Sequence, residues 1–166
     1  MIDERCVTCF FTGHRSIPSE RMSLLSEKLD RVIDELVSKG YYKFVCGGAV
    51  GFDTMAACRI IVAKSRHPEI EFHLVLPCRD QTAKWRSEYD LALYQRIKGL
   101  ADSVTFATET YTTGCMHQRN RMMADMSSQC VAYFNGTRGG TAYTVRYAID
   151  SGISLINLYD DMKISN

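Results

Sequence analysis

Short apolar runs alternate with longer amphipathic segments along the whole chain. The apolar runs predict strands over 6–11, 42–46, 70–76, 103–107, 129–134 and 153–158. The segments between them predict helices over 19–38, 52–65, 81–98, 117–127 and 141–151. This alternation is typical of an α/β fold with a doubly wound, mostly parallel sheet and helices on both faces.

Length and composition narrow the classes of protein that this chain can belong to. With 166 residues, 46% hydrophobic and 23% charged, we expect a single domain over residues 1–166. A net charge of +1 gives no footprint for general DNA binding. No apolar run approaches the roughly 20 residues that span a bilayer, and the charged start MIDERC is unlike a signal peptide. We therefore predict a cytoplasmic protein that binds no membrane.

The seven cysteines are scattered, and one pair has the spacing Cys6-x-x-Cys9. This pair lies in a predicted strand, where side chains three positions apart point to opposite faces. No second pair is spaced to complete a zinc site. We predict reduced core thiols and no metal, with redox chemistry at Cys6 and Cys9 as the alternative.

Glycine, arginine and hydroxyl residues collect where the predicted strands end. In a doubly wound sheet, ligands bind at the carboxyl ends of the strands, where glycine admits close backbone approach and helix N-termini attract anions. Arg15, Arg79 and Arg138 add positive charge at this edge. These features predict a site for a phosphate or phosphoribosyl group, formed by Thr12, Gly13, His14, Arg15, Gly47, Gly48, Gly51, Asp53, Arg79, Gly136, Thr137, Gly139, Gly140 and Thr141.

Several residues at this edge allow two interpretations. Asp53 could bind a ribose hydroxyl or cap the second helix. His14 could contact a ligand or only shape its turn, and His117 could contact a ligand or only begin its helix. Trp85 could stack on a base or anchor its own segment by packing. Arg119 and Arg121, on either side of Asn120, could bind an anion or form a solvated helix face.

Four segments together resemble the SMF/DprA–LOG superfamily, SLOG, a Rossmann-like set of nucleotide-binding proteins. They are TGHR (12–15), CGGAVGFDTMAA (46–57), LPCRDQTAKW (76–85) and GTRGGTAYTVRYA (136–148). In their order they are most similar to its small single-domain YpsA/YoqJ-type branch, over essentially the whole chain. RNRMMADMS (119–127) resembles a DprA segment and MHQR (116–119) a LOG segment, so the resemblance implies binding roles for Arg119 and Asn120.

The resemblance implies a nucleotide-binding sensor or regulatory protein. LOG enzymes cleave the N-glycosidic bond of nucleoside 5′-monophosphates with a glutamate from a PGGxGTxxE loop. That glutamate matches Thr144 here, which cannot act as an acid or base, and the loop is about two residues longer. A LOG-like hydrolase that uses another carboxylate, such as Asp53 or Glu88, is the alternative.

Partners follow from the same resemblance. DprA binds single-stranded DNA with a basic pocket and extra domains, for which this chain has neither the charge nor the length. We therefore expect a nucleotide or nucleotide-derived partner and no nucleic acid, and leave a homo-oligomer open. The base and any catalytic residue stay unassigned.

Overall fold

The sheet of this protein is six-stranded and parallel throughout the part described by the computed structural model, residues 3–159. The ends of the predicted domain, residues 1–2 and 160–166, lie outside the described residues. The strands are β1 (Thr8–Gly13), β2 (Lys43–Cys46), β3 (Glu71–Leu76), β4 (Ser103–Phe106), β5 (Gln129–Tyr133) and β6 (Ser154–Asn157). Their order across the sheet is β4-β3-β2-β1-β5-β6, which confirms the predicted doubly wound α/β class.

Helices cover both faces of the sheet, as predicted. They are α1 (Ser19–Ser38), α2 (Phe52–Ala63), α3 (Glu88–Leu100), α4 (Cys115–Asp125) and α5 (Gly140–Asp150). Successive residues of a strand point to opposite faces. Phe11 therefore packs in one core cluster with residues of α1, α2 and α3, whereas Phe10 packs in a second with Met123 of α4 and Val145 of α5.

Several predicted boundaries differ from the observed ones by two residues or more, and two of these differences have a clear structural cause. The helix predicted over 81–98 begins only at Glu88, because the preceding residues form turns and the Ser87 hydroxyl accepts a hydrogen bond from the Asp90 N–H (3.1 Å), which caps α3. The Trp85 ring packs edge-on against the Tyr94 ring, with 5.3 Å between the ring centroids, and so anchors the preceding turn to α3. The first strand begins at Thr8 because residues 4–7 form a 3₁₀ turn.

The connections between strands create a crevice at one edge of the sheet. From β1 the chain winds outward through β2 and β3 to β4, and then returns to place β5 on the opposite side of β1. The connections after β1 and β5 therefore diverge to opposite sides at the carboxyl ends of these two strands. This is the topological switch point, where doubly wound proteins bind ligands.

Gly13, the last residue of β1, is required by packing against α2. A Cβ at this position would lie 2.5 Å from two ring atoms of the fully buried Phe52. We expect Gly13→Ala to lower the free energy of unfolding by about 1–3 kcal/mol, the usual cost of overpacking a core. Urea denaturation measures this loss.

Gly99→Ala is the matched control for that substitution. A Cβ at Gly99, inside α3, meets nothing within 4 Å. Alanine is the better helix former, so we expect a gain of up to about 1 kcal/mol. Equal stability of Gly13→Ala and the wild type would contradict the close contact with Phe52.

Candidate functional site

A cleft of about 410 Å³ opens at the switch point, above the carboxyl ends of β1 and β5. Its volume lies within the range of small-molecule sites. The residues that line the cleft come from the carboxyl end of β1, from the starts of α2, α4 and α5, and from the loops that precede α2 and α5. They are Thr12, Gly13, His14, Arg15, Ala49, Asp53, Met116, His117, Arg119, Asn120, Thr137, Arg138, Gly139, Gly140 and Thr141.

The start of α5 forms one wall of the cleft. Gly139 precedes the helix with a φ of 144°, a conformation that favours glycine, and no side chain caps the helix. The amides of Gly140 and Thr141 belong to the first helical turn and have no partner within the helix. Together with the positive end of the helix dipole, these amides suit an anion.

The loop before α5 is held by a local hydrogen-bonded turn. The Asn135 side-chain oxygen accepts hydrogen bonds from the Thr137 N–H (3.0 Å) and the Thr137 hydroxyl (2.7 Å). Gly136 takes a φ of 92° inside this turn and does not line the cleft. Its role in the structure is to shape the loop, and a direct ligand contact stays a prediction.

Asp53 and Arg119 are a pair of buried, oppositely charged side chains at the floor of the cleft that attract each other without a direct ion contact. Only 6% of Asp53 and 4% of Arg119 is exposed. The Arg119 guanidinium donates hydrogen bonds to the Gly47 carbonyl and to the Asn120 side-chain oxygen, the latter at 2.7 Å. The Asp53 carboxylate accepts a hydrogen bond from the Ala49 N–H (3.2 Å). Both side chains are therefore held in place by backbone groups of the loop after β2.

Burial perturbs both members of this pair. It raises the pKa of the Asp53 carboxyl to about 6, against the opposing effects of Arg119 and the Ala49 N–H. Burial also lowers the pKa of Arg119, against the attraction of Asp53. Of the two predicted roles of Asp53, capping of α2 is not observed, because Gly51 precedes that helix and no side chain caps it. Its contact with a ribose stays a prediction.

The glycines after β2 lie behind the cleft and do not line it. A Cβ at Gly47 would come within 2.5 Å of the Arg119 guanidinium and 3.0 Å of the Asp53 carboxylate. Gly48 and Gly51 have φ values of 76° and 83°, and a Cβ there would meet the Leu76 side chain and the Arg15 carbonyl. Each glycine thus permits a close internal contact that holds the floor, and their direct contact with a ligand stays a prediction.

The two arginines predicted at the first and third strand ends lie in different places. Arg15 is exposed at the cleft, where its guanidinium contacts the Met116 sulfur at 3.2 Å. A thioether is a weak acceptor, so this guanidinium can exchange it for an anion. Arg79 does not line the cleft: it donates to the Glu109 carboxylate (2.6 Å) and lies 4.3 Å above the Phe106 ring beside β4.

His14 connects the loops that follow β1 and β5. Its Nε2 accepts a hydrogen bond from the Asn135 N–H at 2.9 Å, and its ring lies beside those of Tyr133 and Phe134. Burial lowers the pKa of His14, so the neutral ring that this hydrogen bond requires is favoured. His14 therefore shapes the turn while one side of its ring lines the cleft.

The start of α4 supplies two further residues to the cleft. Met116, which the strand-end pattern missed, lines it. His117, one of the two histidines considered as ligand contacts, lines it too, with its ring tilted against that of Tyr143 at 4.1 Å between centroids and its Nδ1 buried without a hydrogen-bond partner. The available signal was the predicted helix itself, since every helix that follows a strand of a parallel sheet begins at this same edge.

Thr144, which matches the LOG glutamate, is sealed inside the fold. It is fully buried, and its hydroxyl donates to the Gly140 carbonyl within α5 (2.9 Å). Of the two substitute carboxylates, Asp53 lines the cleft, whereas Glu88 is exposed at the start of α3 and does not. Asp53 is thus the carboxylate placed to reach a bound ligand.

The cysteines are not among the residues that line the cleft. Cys6 is exposed in the 3₁₀ turn, and Cys9 is buried in β1. Within residues 3–159, no three side chains of His, Cys, Asp or Glu are grouped to hold a metal ion. None of the helices in that range is long and apolar enough to cross a membrane.

A doubly wound parallel sheet with an anion-suited cleft at its switch point defines a Rossmann-like protein class. Within this class the chain belongs to the YspA SLOG family, whose model, YpsA, matches residues 9–159. The SLOG resemblance predicted from the four sequence segments is thereby confirmed.

One relative agrees with this family assignment, and a solved structure shares the fold. Over 140 residues the chain is 30% identical to the uncharacterised SPbeta prophage-derived protein YoqJ of Bacillus subtilis (strain 168), covering 76% of this chain and 81% of the relative. The fold is similar to DNA processing protein A (DprA) from Streptococcus pneumoniae, with a TM-score of 0.63, 16% identity and coverage of 92% of this chain and 50% of that one.

A second DprA structure shows the same likeness of fold. This protein, from Helicobacter pylori, is described for its single-stranded DNA binding mode, and it matches with a TM-score of 0.62 and 18% identity. The match covers 92% of this chain and 65% of that one. The chain thus spans half to just under two thirds of the length of the two DprA chains.

Proposed function

We propose that this protein binds a nucleotide or nucleotide-derived ligand in the cleft and acts as a sensor or regulatory protein. The observation that carries this proposal is the uncapped start of α5, whose first residues, Gly140 and Thr141, line the same cleft as Arg15. Arg138 lies on the same wall. The phosphate would bind to these amides and arginines, and the ribose would lie toward Asp53.

The charge at the floor of the cleft supports this orientation. Asp53 and Arg119 carry opposite charges that partly offset each other at the floor of the cleft, and a ligand contact of Arg119 stays part of the proposal. Arg15 and Arg138 are exposed and are the cationic groups that remain for a phosphate. A guanidinium matches a phosphate with two parallel N–H donors.

Binding without turnover is favoured because Thr144 replaces the LOG glutamate and is sealed inside α5. One observation supports N-glycosidic hydrolysis as a second candidate function. The Asp53 carboxyl lines the cleft, and its pKa of about 6 suits an acid or base near neutral pH. Its carboxylate already accepts the Ala49 N–H, which limits its access to a substrate.

Single-stranded DNA is a further candidate because the fold is similar to that of the DprA proteins. A cleft of about 410 Å³ has room for roughly one nucleotide, and DNA strands are usually held by a longer cationic groove. The net charge of +1 gives no general attraction for a DNA strand. A free nucleotide therefore fits the observations better than a strand.

Melting curves with a panel of ligands test the proposed function. The panel contains purine and pyrimidine nucleotides, NAD, ADP-ribose, cyclic nucleotides and a thymidine oligonucleotide. A ligand that binds only the folded state stabilises it by about 2.7 kcal/mol at a concentration one hundred times its Kd. We expect at least one nucleotide to raise the melting temperature, with no release of free base by chromatography.

The other outcomes separate the candidates. Base release that disappears in Asp53→Asn would favour the hydrolase. A shift with the oligonucleotide alone would favour DNA binding. If no nucleotide raises the melting temperature, the proposed function is wrong.

A further inference from the structure

A chain of hydrogen bonds joins three side chains at the amino ends of β3 and β4, the end of the sheet opposite to the cleft. The Ser103 hydroxyl lies 2.6 Å from His73 Nδ1, and His73 Nε2 lies 2.9 Å from the Glu71 carboxylate. None of the three lines the cleft. The proposed nucleotide site therefore leaves a serine, a histidine and a glutamate without an assigned role.

The register of the parallel sheet brings these side chains together. His73 and Ser103 are partners in the ladder between β3 and β4, so their side chains lie on the same face. Glu71 precedes His73 by two residues and lies on that face as well. Phe72, between them, packs in the core on the opposite face. The backbones of two strands, rather than a loop, thus fix the spacing of the three side chains.

The glutamate sets the direction of both hydrogen bonds. An ionised carboxylate can only accept, so the His73 Nε2–H donates to Glu71, and Nδ1 of the neutral ring accepts the Ser103 O–H. The Lys43 ammonium lies 3.8 Å from the same Glu71 oxygen and holds the carboxylate from its other side. A nucleophile, a base and a group that orients the base, all within hydrogen-bond distance, form the arrangement of nucleophilic catalysis.

The position of Ser103 allows a substrate to approach. Ser103 is exposed on β4, the edge strand of the sheet. The outer side of an edge strand presents backbone N–H groups, and such groups stabilise the negative charge that develops on a carbonyl oxygen during acyl transfer. Thr105, two residues further along β4, is also exposed, and Lys43 lies beside Glu71. These polar surroundings suit a short acyl group better than a long hydrocarbon chain.

We propose that Ser103 is the nucleophile of a second site that hydrolyses short-chain carboxylic esters, with His73 as general base and Glu71 as a positioning residue. Ser103 Oγ bonds to the carbonyl carbon while its proton passes to His73 Nδ1. The bond from that carbon to the alcohol oxygen then breaks, and the alcohol leaves with this proton. Water attacks the acyl-serine in the same way, so one ester and one water become one acid and one alcohol. This activity does not depend on nucleotide binding at the cleft.

Covalent capture by a fluorophosphonate tests the proposed nucleophile. Ser103 Oγ bonds to phosphorus as fluoride leaves, and peptide mass spectrometry locates the adduct. We expect the adduct on Ser103 of the wild type, together with hydrolysis of p-nitrophenyl acetate. Ser103→Ala is expected to lose the adduct and the hydrolysis, and His73→Gln to slow both about a hundredfold or more.

Ser38→Ala is the matched control. Ser38 is an exposed serine whose hydroxyl donates to the Glu35 carbonyl (2.6 Å), and its loss should leave capture and hydrolysis unchanged. Capture at another residue, capture that keeps its rate in His73→Gln, or hydrolysis that survives in Ser103→Ala would overturn the proposal. Each of these results would leave the nucleotide site standing, since that site is tested by melting curves.

The positioning role of Glu71 has a readout of its own. In mildly alkaline buffer, the nitrogen-15 signals of the His73 ring are expected to show the Nε2–H tautomer, because Glu71 accepts from that atom. Glu71→Ala should abolish this preference and slow capture at Ser103. An unchanged tautomer, or an unchanged rate of capture, would overturn the role of Glu71.

Discussion

Replacing Arg119 with methionine is expected to lower the free energy of unfolding by about 3 kcal/mol or more. Removal of one partner from a buried charge pair leaves the other charge uncompensated in the interior. In this protein the substitution leaves the buried Asp53 without the stronger of the two arginine charges that favour its ionised form, and the Gly47 carbonyl without its donor. Urea denaturation at pH 7 measures the loss.

The pH dependence distinguishes loss of charge compensation from simple loss of packing. Folding raises the pKa of Asp53 from about 4 in the unfolded chain to about 6. The stability that the protonated Asp53 carboxyl contributes is therefore fully present at low pH and is lost as the pH rises from about 4 through about 6. Without Arg119 this pKa rises further. We therefore expect the deficit of Arg119→Met to grow above pH 6.

Two companion variants complete the experiment. Arg121→Met removes an arginine that donates to the Tyr143 hydroxyl (2.8 Å) at an exposed site, and should cost less than about 1 kcal/mol. Asp53→Asn combined with Arg119→Met removes both charges and should recover part of the loss. If Arg119→Met loses the same free energy of unfolding at pH 5 and at pH 8, and the double variant recovers none of it, Asp53 and Arg119 do not stabilise each other by their charges.

Replacing Arg15 with alanine is expected to weaken nucleotide binding by about tenfold to about a hundredfold. A hydrogen bond to a charged group contributes about 1.5–3 kcal/mol, which corresponds to this range. Arg15 is exposed and makes one weak side-chain contact, so its loss should leave the melting temperature nearly unchanged. Calorimetric titration with the most stabilising nucleotide of the panel measures the effect.

Arg79→Ala is the control for this variant. Arg79 also follows a strand of the sheet, yet it is bound to Glu109 and lies outside the cleft. Its loss should change the affinity less than about twofold. Equal losses in the two variants would indicate a general charge effect, and a collapse of the melting temperature in Arg15→Ala would return this loop to a structural role.

The architecture could be predicted because it depends on periodicity. Apolar runs such as 129–134 and amphipathic segments such as 19–38 carry their own period, and their alternation leaves few topologies. The predicted start of the helix over 81–98 was wrong because the first residues of that range have no apolar stripe. Packing of Trp85 on Tyr94 and capping by Ser87 set its true start, and both depend on tertiary contacts.

The site could be predicted to the level of a sheet edge, but not to individual contacts. Arg15 and Arg79 follow strands in the same way, and only the three-dimensional distance from the switch point separates them. Gly47 and Gly139 both follow β-strands, yet one admits the Arg119 guanidinium and the other opens the start of α5. Residue type alone does not distinguish a glycine beneath the cleft from one that lines it.

Binding of a phosphate to the start of α5 is the step on which the proposed nucleotide site depends. The most direct measurement is a nitrogen-15 NMR titration with the nucleotide that raises the melting temperature most. We predict saturable shifts of the Gly139, Gly140 and Thr141 amides, with the Gly99 amide unaffected in α3. If these three amides stay unchanged while others shift on binding, the phosphate does not bind at the start of α5.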